Sequence, residues 1–170
     1  KFLKKNGFQT HQAKSCIIVG GGRAAYYLAK RLIELGISVQ IVENKKERCE
    51  ELSVLLPQAI IVNGDGTSEE LLNEIGITTT ESLVPLTGID EENIMLTLYA
   101  KEVSNAKVVT KINRITYTGV IDQLDLGSVV YPKYITSEAI IAFVRSKTAT
   151  MNNNIETMIH LFDERVEAIE

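Results

Sequence analysis

The feature that most constrains the fold is a glycine-rich turn between a strand pattern and a helix pattern. Three glycines, at positions 20–22, follow the apolar, β-branched run of residues 16–19 and precede a helical pattern over residues 24–35. Together with Ala25 they form a G-x-G-x-x-A motif, in which the glycines permit a tight turn and a close backbone approach to pyrophosphate. The N–H groups that open the helix favour an anion. The pattern therefore predicts a dinucleotide-binding turn.

The rest of the chain repeats this alternation of short apolar strands and longer helices. The pattern predicts strands at residues 16–19, 39–42, 59–62, 82–86, 107–110 and 128–131, and helices at residues 24–35, 45–56, 68–75, 90–103, 116–124 and 137–147. Strands that alternate with helices indicate a parallel sheet, and strands that are apolar throughout indicate burial of both sheet faces. The predicted fold class is α/β, a doubly wound, Rossmann-like parallel sheet of six strands with helices on both faces.

Composition and charge exclude several classes of protein. The chain has 170 residues, of which 45% are hydrophobic and 24% charged, as in ordinary globular domains. A net charge of −4 argues against a nucleic-acid partner, and the apolar runs are too short to span a bilayer. Cys16 and Cys49 lack the spacing of a metal site, so no metal is expected. Since no signal-peptide pattern is present, we expect a cytoplasmic protein.

The two ends of the chain differ from the central pattern. Residues 1–14 are basic and polar, and we expect a linker from a preceding domain there. Residues 15–148 are expected to carry the Rossmann-like nucleotide-binding domain. Residues 149–170 are expected to hold a second linker and the truncated start of a C-terminal regulatory domain. Because the first residue is Lys rather than Met, we expect the chain to be a piece of a longer polypeptide.

Glu43, at the end of the second predicted strand, is the strongest candidate for nucleotide recognition after the glycine turn. A carboxylate at this place can accept hydrogen bonds from the ribose hydroxyls of adenosine. It would also repel a 2′-phosphate, which favours NAD or an adenine nucleotide over NADP. The alternative is a solvated glutamate at the start of a charged helix. We expect Glu43→Ala to weaken nucleotide binding and to change stability little, as at ordinary exposed positions.

Further polar residues follow the later strands, where open α/β sheets place their ligands. The candidates are Gly64 and Asp65 after the third strand, Thr87, Gly88 and Asn93 after the fourth, and Lys111 after the fifth. Glycine at a strand end can also be plain turn chemistry. For Thr87 and Gly88 the spacing alone leaves a site and a turn as equal alternatives.

Signals for catalysis are weak. The two histidines, His11 and His160, lie outside the predicted α/β core, so no Ser/His/Asp or Cys/His arrangement is expected in the site. Tyr26 and Lys30 have the spacing of the dehydrogenase Tyr/Lys pair, but they follow the glycine turn directly and are interpreted as packing and surface residues. No catalytic residue is predicted, and the chain is not expected to be an enzyme.

The series of motifs at the glycine turn and after the second to fifth strands resembles the KTN (RCK) domains of potassium transport regulators. The resemblance covers residues 14–147 and is strongest to the second nucleotide-binding domain of such regulators. It implies a cytoplasmic ring at the inner face of the cell membrane that gates the potassium-transporting subunit of a Trk-type system. It further implies NAD or NADH, or alternatively ATP or ADP, as ligand. The implied binding positions are Gly20, Gly21, Gly22, Arg23, Ala24, Glu43, Asp65, Thr87, Gly88 and Lys111.

Two departures from the family pattern concern the site. Ala25 replaces a third glycine, which is a tolerated change, and Lys111 stands where the family commonly has arginine. Lysine provides a point charge rather than a two-pronged fork, so a phosphate contact there would be weaker or absent.

Two other functions stay open from the residues alone. One is the cofactor domain of an NAD-dependent dehydrogenase whose substrate domain is missing, and the other is an oligomerisation domain with an inactive pocket. The last predicted helix is more apolar than one buried stripe requires, which predicts self-association. The apolar residues of this helix are Ala139, Ile140, Ile141, Phe143 and Val144.

Overall fold

The computed structural model describes residues 13–114, 118–121, 123–149, 158–161 and 166–169. By its internal contacts the chain divides into two units, Lys1–Val130 and Tyr131–Glu170. The first unit contains strands β1 (Ser15–Val19), β2 (Ser38–Glu43), β3 (Ile60–Asn63), β4 (Ser82–Pro85), β5 (Lys107–Lys111) and β6 (Ser128–Val130). Its helices are α1 (Arg23–Glu34), α2 (Lys46–Leu55), α3 (Glu69–Glu74), α4 (Asp90–Val103) and α5 (Thr118–Ile121).

The six strands form one parallel sheet in the order β3-β2-β1-β4-β5-β6. The central strand β1 pairs with β2 on one side, where Val19 faces Val42, and with β4 on the other, where Val19 faces Pro85. The strand order therefore reverses between β1 and β4. Open α/β sheets bind their ligands at such a reversal. The predicted fold class, a doubly wound parallel sheet, is confirmed.

Successive side chains of β1 point to opposite faces of the sheet. Since both sets are apolar, both faces of the sheet are covered by helices. On one face, Ile18 packs with residues of α1 and α2, among them Ala25 and Leu52. On the other face, Ile17 packs with residues of α3 and α4, among them Leu72. Ile17 and Ile18 are both fully buried. This is why residues 16–19 of β1 are all apolar.

The ends of the helices follow local capping chemistry. The Ser68 hydroxyl accepts a hydrogen bond from the Leu71 N–H and caps α3. Helix α4 has no side-chain cap, but it begins with Asp90 and two glutamates, whose charges favour the positive end of the helix dipole. The first unit therefore matches the predicted elements, with small shifts at their bounds.

The second unit contains helix α6 (Pro132–Ala149) and an antiparallel pair, β7 (Met158–Leu161) and β8 (Val166–Ile169). Helix α6 begins earlier than the predicted residue 137. A proline at the first helical position loses no hydrogen bond and has the required φ, which explains why Pro132 can open the helix. Within the described part of the chain, no helix is long and apolar enough to cross a membrane.

The predicted end segments lie largely outside the described residues. Of residues 1–14 only the last two are described, and of residues 150–170 only β7 and β8. His11 also lies outside the described residues, whereas His160 lies in β7. The proposed linkers, the domain boundary at residue 148 and the start of a regulatory domain stay predictions.

Candidate functional site

A cleft of about 670 Å³ opens at the carboxyl ends of β1, β2, β4 and β5, where the strand order reverses. It lies within the first unit. Its polar and glycine lining comes from the glycine turn, the end of β2 with the start of α2, the β3–α3 loop, the β4–α4 loop and the end of β5. These lining residues are Gly20, Gly21, Gly22, Glu43, Asn44, Lys45, Arg48, Asp65, Gly66, Thr67, Thr87, Gly88, Glu92 and Lys111.

The first and third glycines of the turn have different surroundings. Gly20 has φ +100°, and a Cβ built there would lie 3.0 Å from the backbone carbon and oxygen of Leu86. A Cβ at Gly22 would meet nothing within 4 Å, although Gly22 lines the cleft and caps α1. The turn thus packs closely against β4 at its first glycine and leaves open space at its third. The start of α1 has no side-chain cap and no acidic residue in its first turn, as suits an anion.

Glu43 is half-buried and its carboxylate is fixed in place by two backbone groups. Oε2 accepts a hydrogen bond from the Gly21 N–H at 2.7 Å, and Oε1 accepts one from the Lys45 N–H at 2.8 Å. Each carboxylate oxygen can accept a further hydrogen bond, so the group can still receive ribose hydroxyls. The two backbone contacts also mean that Glu43 is not an ordinary exposed position, and Glu43→Ala is now expected to lower stability.

Arg48 on α2 lines the same part of the cleft and was not among the predicted site residues. Its Nε donates to the carbonyl oxygen of Gly21 at 2.7 Å. Gly21 is thereby held at its N–H by Glu43 and at its carbonyl by Arg48. The available signal was a long basic residue in the first turn of α2, shortly after the end of β2, but the neighbouring charged residues favoured an exposed surface position.

The β3–α3 loop contributes a carboxylate and a close-packed glycine. Asp65 Oδ1 accepts hydrogen bonds from the backbone N–H and the hydroxyl of Thr67, at 2.9 and 2.7 Å. These bonds lower the pKa of Asp65, which therefore stays ionised near neutral pH. A Cβ at Gly66 would lie 2.3 Å from Cγ1 of Val19, and one at Gly64 would lie 2.6 Å from Cδ2 of Leu71. Gly64 therefore serves packing and does not line the cleft.

Asn93, predicted as a ligand contact, instead lies fully buried behind the β4–α4 loop. Its Oδ1 accepts from the Thr87 N–H and the Thr87 hydroxyl, both at 2.9 Å. Its Nδ2 donates to the carbonyls of Thr87 and Lys111, at 3.3 and 3.0 Å. Both ends of the amide are thus used within the protein. Asn93 fixes the Thr87–Gly88 loop and ties it to the end of β5.

Lys111 places its ammonium group under the same loop. Nζ donates to the carbonyl of Thr87 at 2.7 Å and to that of Leu86 at 3.3 Å. Burial lowers the pKa of Lys111, while the nearby Asp90 carboxylate opposes this effect. The side chain lines the cleft, so the lysine brings a positive charge to the site while bonded to backbone carbonyls.

Asp90, next to the cleft, binds the loop after β5 to the start of α4. Its Oδ1 accepts from the Asn113 backbone and side-chain N–H groups, and its Oδ2 accepts from the Arg114 N–H, each at 2.9 Å. Burial raises the pKa of Asp90, but these hydrogen bonds and the Arg114 charge outweigh burial and lower the pKa overall. The ionised carboxylate is therefore the form that the fold stabilises.

This depressed pKa predicts a pH-dependent contribution to stability. The contribution is complete above the unfolded-state pKa of about 3.9 and is lost as the pH falls through the folded-state value. We expect Asp90→Asn to lower the free energy of unfolding at about pH 7 and to cost less near pH 3, because the contribution of the ionised carboxylate declines below the unfolded-state pKa. Urea unfolding of both proteins at the two pH values measures the difference. An equal cost at both values would contradict the prediction.

The structure brings most of the predicted site residues together. Those that line the cleft are Gly20, Gly21, Gly22, Glu43, Asp65, Thr87, Gly88 and Lys111. Those that do not line it are Arg23, Ala24, Gly64 and Asn93. Tyr26 packs on the core, as interpreted from the sequence, and the neighbouring Tyr27 is 68% exposed. Whether the lining residues bind a nucleotide stays a prediction.

The reversed strand order, the glycine turn and the acidic residue at the end of β2 define a domain of the Rossmann class. Within that class, residues 16–132 match the family model described as the TrkA-N domain. The chain belongs to the TrkA-N domain family. The resemblance to KTN (RCK) domains, drawn from the sequence motifs, is thereby confirmed.

Curated relatives from distant organisms are both named as Trk system potassium uptake proteins. The chain is 33% identical to the Trk system potassium uptake protein TrkA of Haemophilus influenzae over 156 residues, which are 92% of this chain and 33% of the relative. It is 31% identical to the Trk system potassium uptake protein trkA homolog 1 of Methanosarcina mazei over 155 residues, 91% of this chain and 37% of the relative. The chain thus spans about a third of the length of these relatives.

Solved structures share the fold at low identity. The TrkA-N domain of the inner membrane protein ybaL from Escherichia coli aligns with a TM-score of 0.69 and 15% identity, covering 79% of this chain and 99% of that one. The GsuK channel bound to NAD aligns with a TM-score of 0.61 and 13% identity, covering 91% of this chain and 26% of that one. At these identities the likeness establishes the fold alone.

Proposed function

We propose that this chain is the nucleotide-sensing domain of a regulatory subunit that gates potassium uptake through a Trk-type membrane transporter. The observation that carries the proposal is the space at Gly22. The backbone there opens on the cleft and would accommodate a Cβ without any contact within 4 Å. Unfilled space against the start of α1 suits a phosphate group. The names of the curated relatives, Trk system potassium uptake proteins, support a role in potassium uptake.

NAD or NADH fits the cleft residues, with ATP or ADP as the alternative ligands. The glycine turn and the start of α1 would hold the phosphates, and the Glu43 carboxylate, already oriented by two N–H groups, would accept the ribose hydroxyls. Its negative charge disfavours a 2′-phosphate. The GsuK structure with NAD is a protein of the same fold with this class of ligand.

A regulatory role is favoured over the dehydrogenase alternative by the chemistry of the cleft lining. Among the described residues that line it, none is histidine, the side chain that most often exchanges protons in catalysis. Regulation requires only that the ligand bind two arrangements of the assembly with different affinity. The partner would be the membrane subunit of the transporter, and the domain would act at the cytoplasmic face of the membrane.

Substitution of Glu43 tests the proposed ligand site. Glu43→Ala removes charge-assisted hydrogen bonds and is expected to weaken binding of NADH or ATP by about 10- to 150-fold. It is also expected to lower stability by about 1–3 kcal/mol, because the buried Gly21 N–H loses its acceptor. Calorimetric titration of wild type and variant with NADH, ATP and NADPH, below the variant's melting temperature, measures the effect.

The nucleotide comparison supplies the control. Wild type should bind NADPH poorly, and Glu43→Ala should narrow the difference between NADH and NADPH because the repulsion is gone. Glu43→Gln, which keeps one acceptor oxygen for Gly21, should lose affinity with a smaller loss of stability. If wild type and both variants bind NADH with the same affinity, and likewise ATP, Glu43 is not part of the nucleotide site. Absence of binding by the wild type would sink the proposed function.

Self-association is a further part of the proposal, and α6 supplies its surface. Ile140 and Ile141 on this helix are 58% and 41% exposed, and exposed apolar groups on neighbouring positions mark interfaces. We expect light scattering at high micromolar concentration to show at least a dimer. Ile140→Lys should shift the molar mass measured by light scattering toward that of the monomer. Val54→Lys should not shift it, although Val54 on α2 is also apolar and is 81% exposed. A purely monomeric wild type would contradict this prediction.

A further inference from the structure

Arg48 is more buried than the surface arginine Arg31 and makes two hydrogen bonds through different nitrogens. Its side chain is 23% exposed, whereas that of Arg31, in the same i,i+3 pairing with a glutamate on α1, is 72% exposed. Two different nitrogens of Arg48 are engaged. Nε donates to the Gly21 carbonyl at 2.7 Å, and Nη1 donates to Glu51 Oε2 at 2.6 Å. Contacts at two corners of a planar group fix the orientation of its plane.

Arg48 lines the cleft in the region of Glu43, Asn44 and Lys45. If Glu43 holds the adenosine ribose, the adenine base, joined to the same sugar, lies within reach of these residues. Bases of single-stranded nucleic acids stack on flat side chains, either an aromatic ring or a guanidinium, and the same contact is open to an adenine base in this cleft. Among the described residues that line the cleft, none is aromatic, and Arg48 is the one arginine.

We propose that Arg48 binds the adenine ring by stacking a face of its guanidinium on it, while its in-plane N–H groups hold Gly21 and Glu51. This inference rests on the proposed function, since it needs adenosine in the cleft. Hydrogen bonds made in the guanidinium plane leave its faces available, and arginine stacks on aromatic faces in this way. Arg48 then joins adenine recognition to the shape of the glycine turn. Lysine at position 48 would keep the positive charge but has no planar group that could stack on the adenine.

A matched pair of conservative substitutions in the full 170-residue chain tests the proposal. Arg48→Lys is expected to weaken ADP binding by about 2- to 30-fold, the range of a cation–π contact. Arg31→Lys changes the same residue type in the same kind of pair, away from the cleft, and should leave ADP affinity unchanged. Calorimetric titration gives both values, and thermal melting of each variant reports whether the fold is kept.

A resonance of the wild-type protein separates stacking from a purely structural or electrostatic role. The Arg48 Nε–H signal, identified by its disappearance in Arg48→Lys, should move upfield on addition of ADP, because a proton above an aromatic ring is shielded. Loss of affinity without this shift, or unchanged affinity in Arg48→Lys, overturns the proposal while leaving nucleotide binding intact. If wild type binds neither ADP nor NADH, it is the proposed function that fails.

Discussion

Gly22→Ala is expected to weaken nucleotide binding by about 100-fold or more while the domain stays folded. The backbone of Gly22 has φ −66° and ψ −176°, which alanine adopts readily, and the added methyl would touch no protein atom within 4 Å. The methyl would instead occupy the space next to the start of α1 where phosphate is proposed to lie. Titration with NADH and ADP, together with a melting curve, separates the two effects.

Gly119→Ala provides the matched control for that substitution. A Cβ at Gly119 also meets nothing within 4 Å, and the residue lies on α5 and does not line the cleft. The control should keep both stability and affinity. If Gly22→Ala binds NADH as tightly as Gly119→Ala does, phosphate does not approach the glycine turn.

Gly20→Ala is expected to destabilise the fold by about 3–5 kcal/mol, which combines backbone strain with a steric clash. The residue has φ +100°, and its Cβ would press on the Leu86 carbonyl group, which belongs to the backbone and cannot rotate away. The Gly20 N–H also donates to the carbonyl of Val42 at 2.8 Å. A shift of the turn would therefore disturb its link to β2 as well. Urea unfolding gives the change in free energy.

Gly36→Ala separates the two causes of this loss. Gly36 has a similarly left-handed φ of +77°, but its Cβ would meet nothing within 4 Å. Gly36→Ala should lower the free energy of unfolding only by the cost of the backbone conformation, about 1–2 kcal/mol. If both substitutions cost the same, the glycine turn is not packed against the end of β4 as described.

The fold was predictable because its signals are local. The alternation of β-branched runs with helical spacing is written along the chain, and it determines a parallel sheet with two covered faces. The glycine turn and Glu43 were found for a related reason, since their places follow from the fold class and their distance along the sequence. The observed bounds of a helix differ from the predicted ones where a single residue determines the helix start. Pro132, for example, starts α6 earlier than the apolar spacing indicates.

The roles of Asn93 and Arg48 could not be predicted because they depend on distant partners. An asparagine near a strand end looks the same whether its amide faces a ligand or, as here, the backbone of Thr87 and Lys111. Arg48 lies among charged residues on α2, and its contact with Gly21 joins positions 27 residues apart. Helical spacing carries no information on such a contact.

The pairing of β1 with β4 also limits where this chain can be shortened. All the residues of β2 and β3 precede β4, so a fragment that ends before Ser82 could still form the β3-β2-β1 half of the sheet. In that fragment the central strand would have become an edge strand. Ile17 and Ile18, fully buried in the whole domain, would lie on a strand with unpaired N–H and C=O groups, which is a template for aggregation. During synthesis β1 likewise lacks its β4 neighbour until the residues of β4 have left the ribosome.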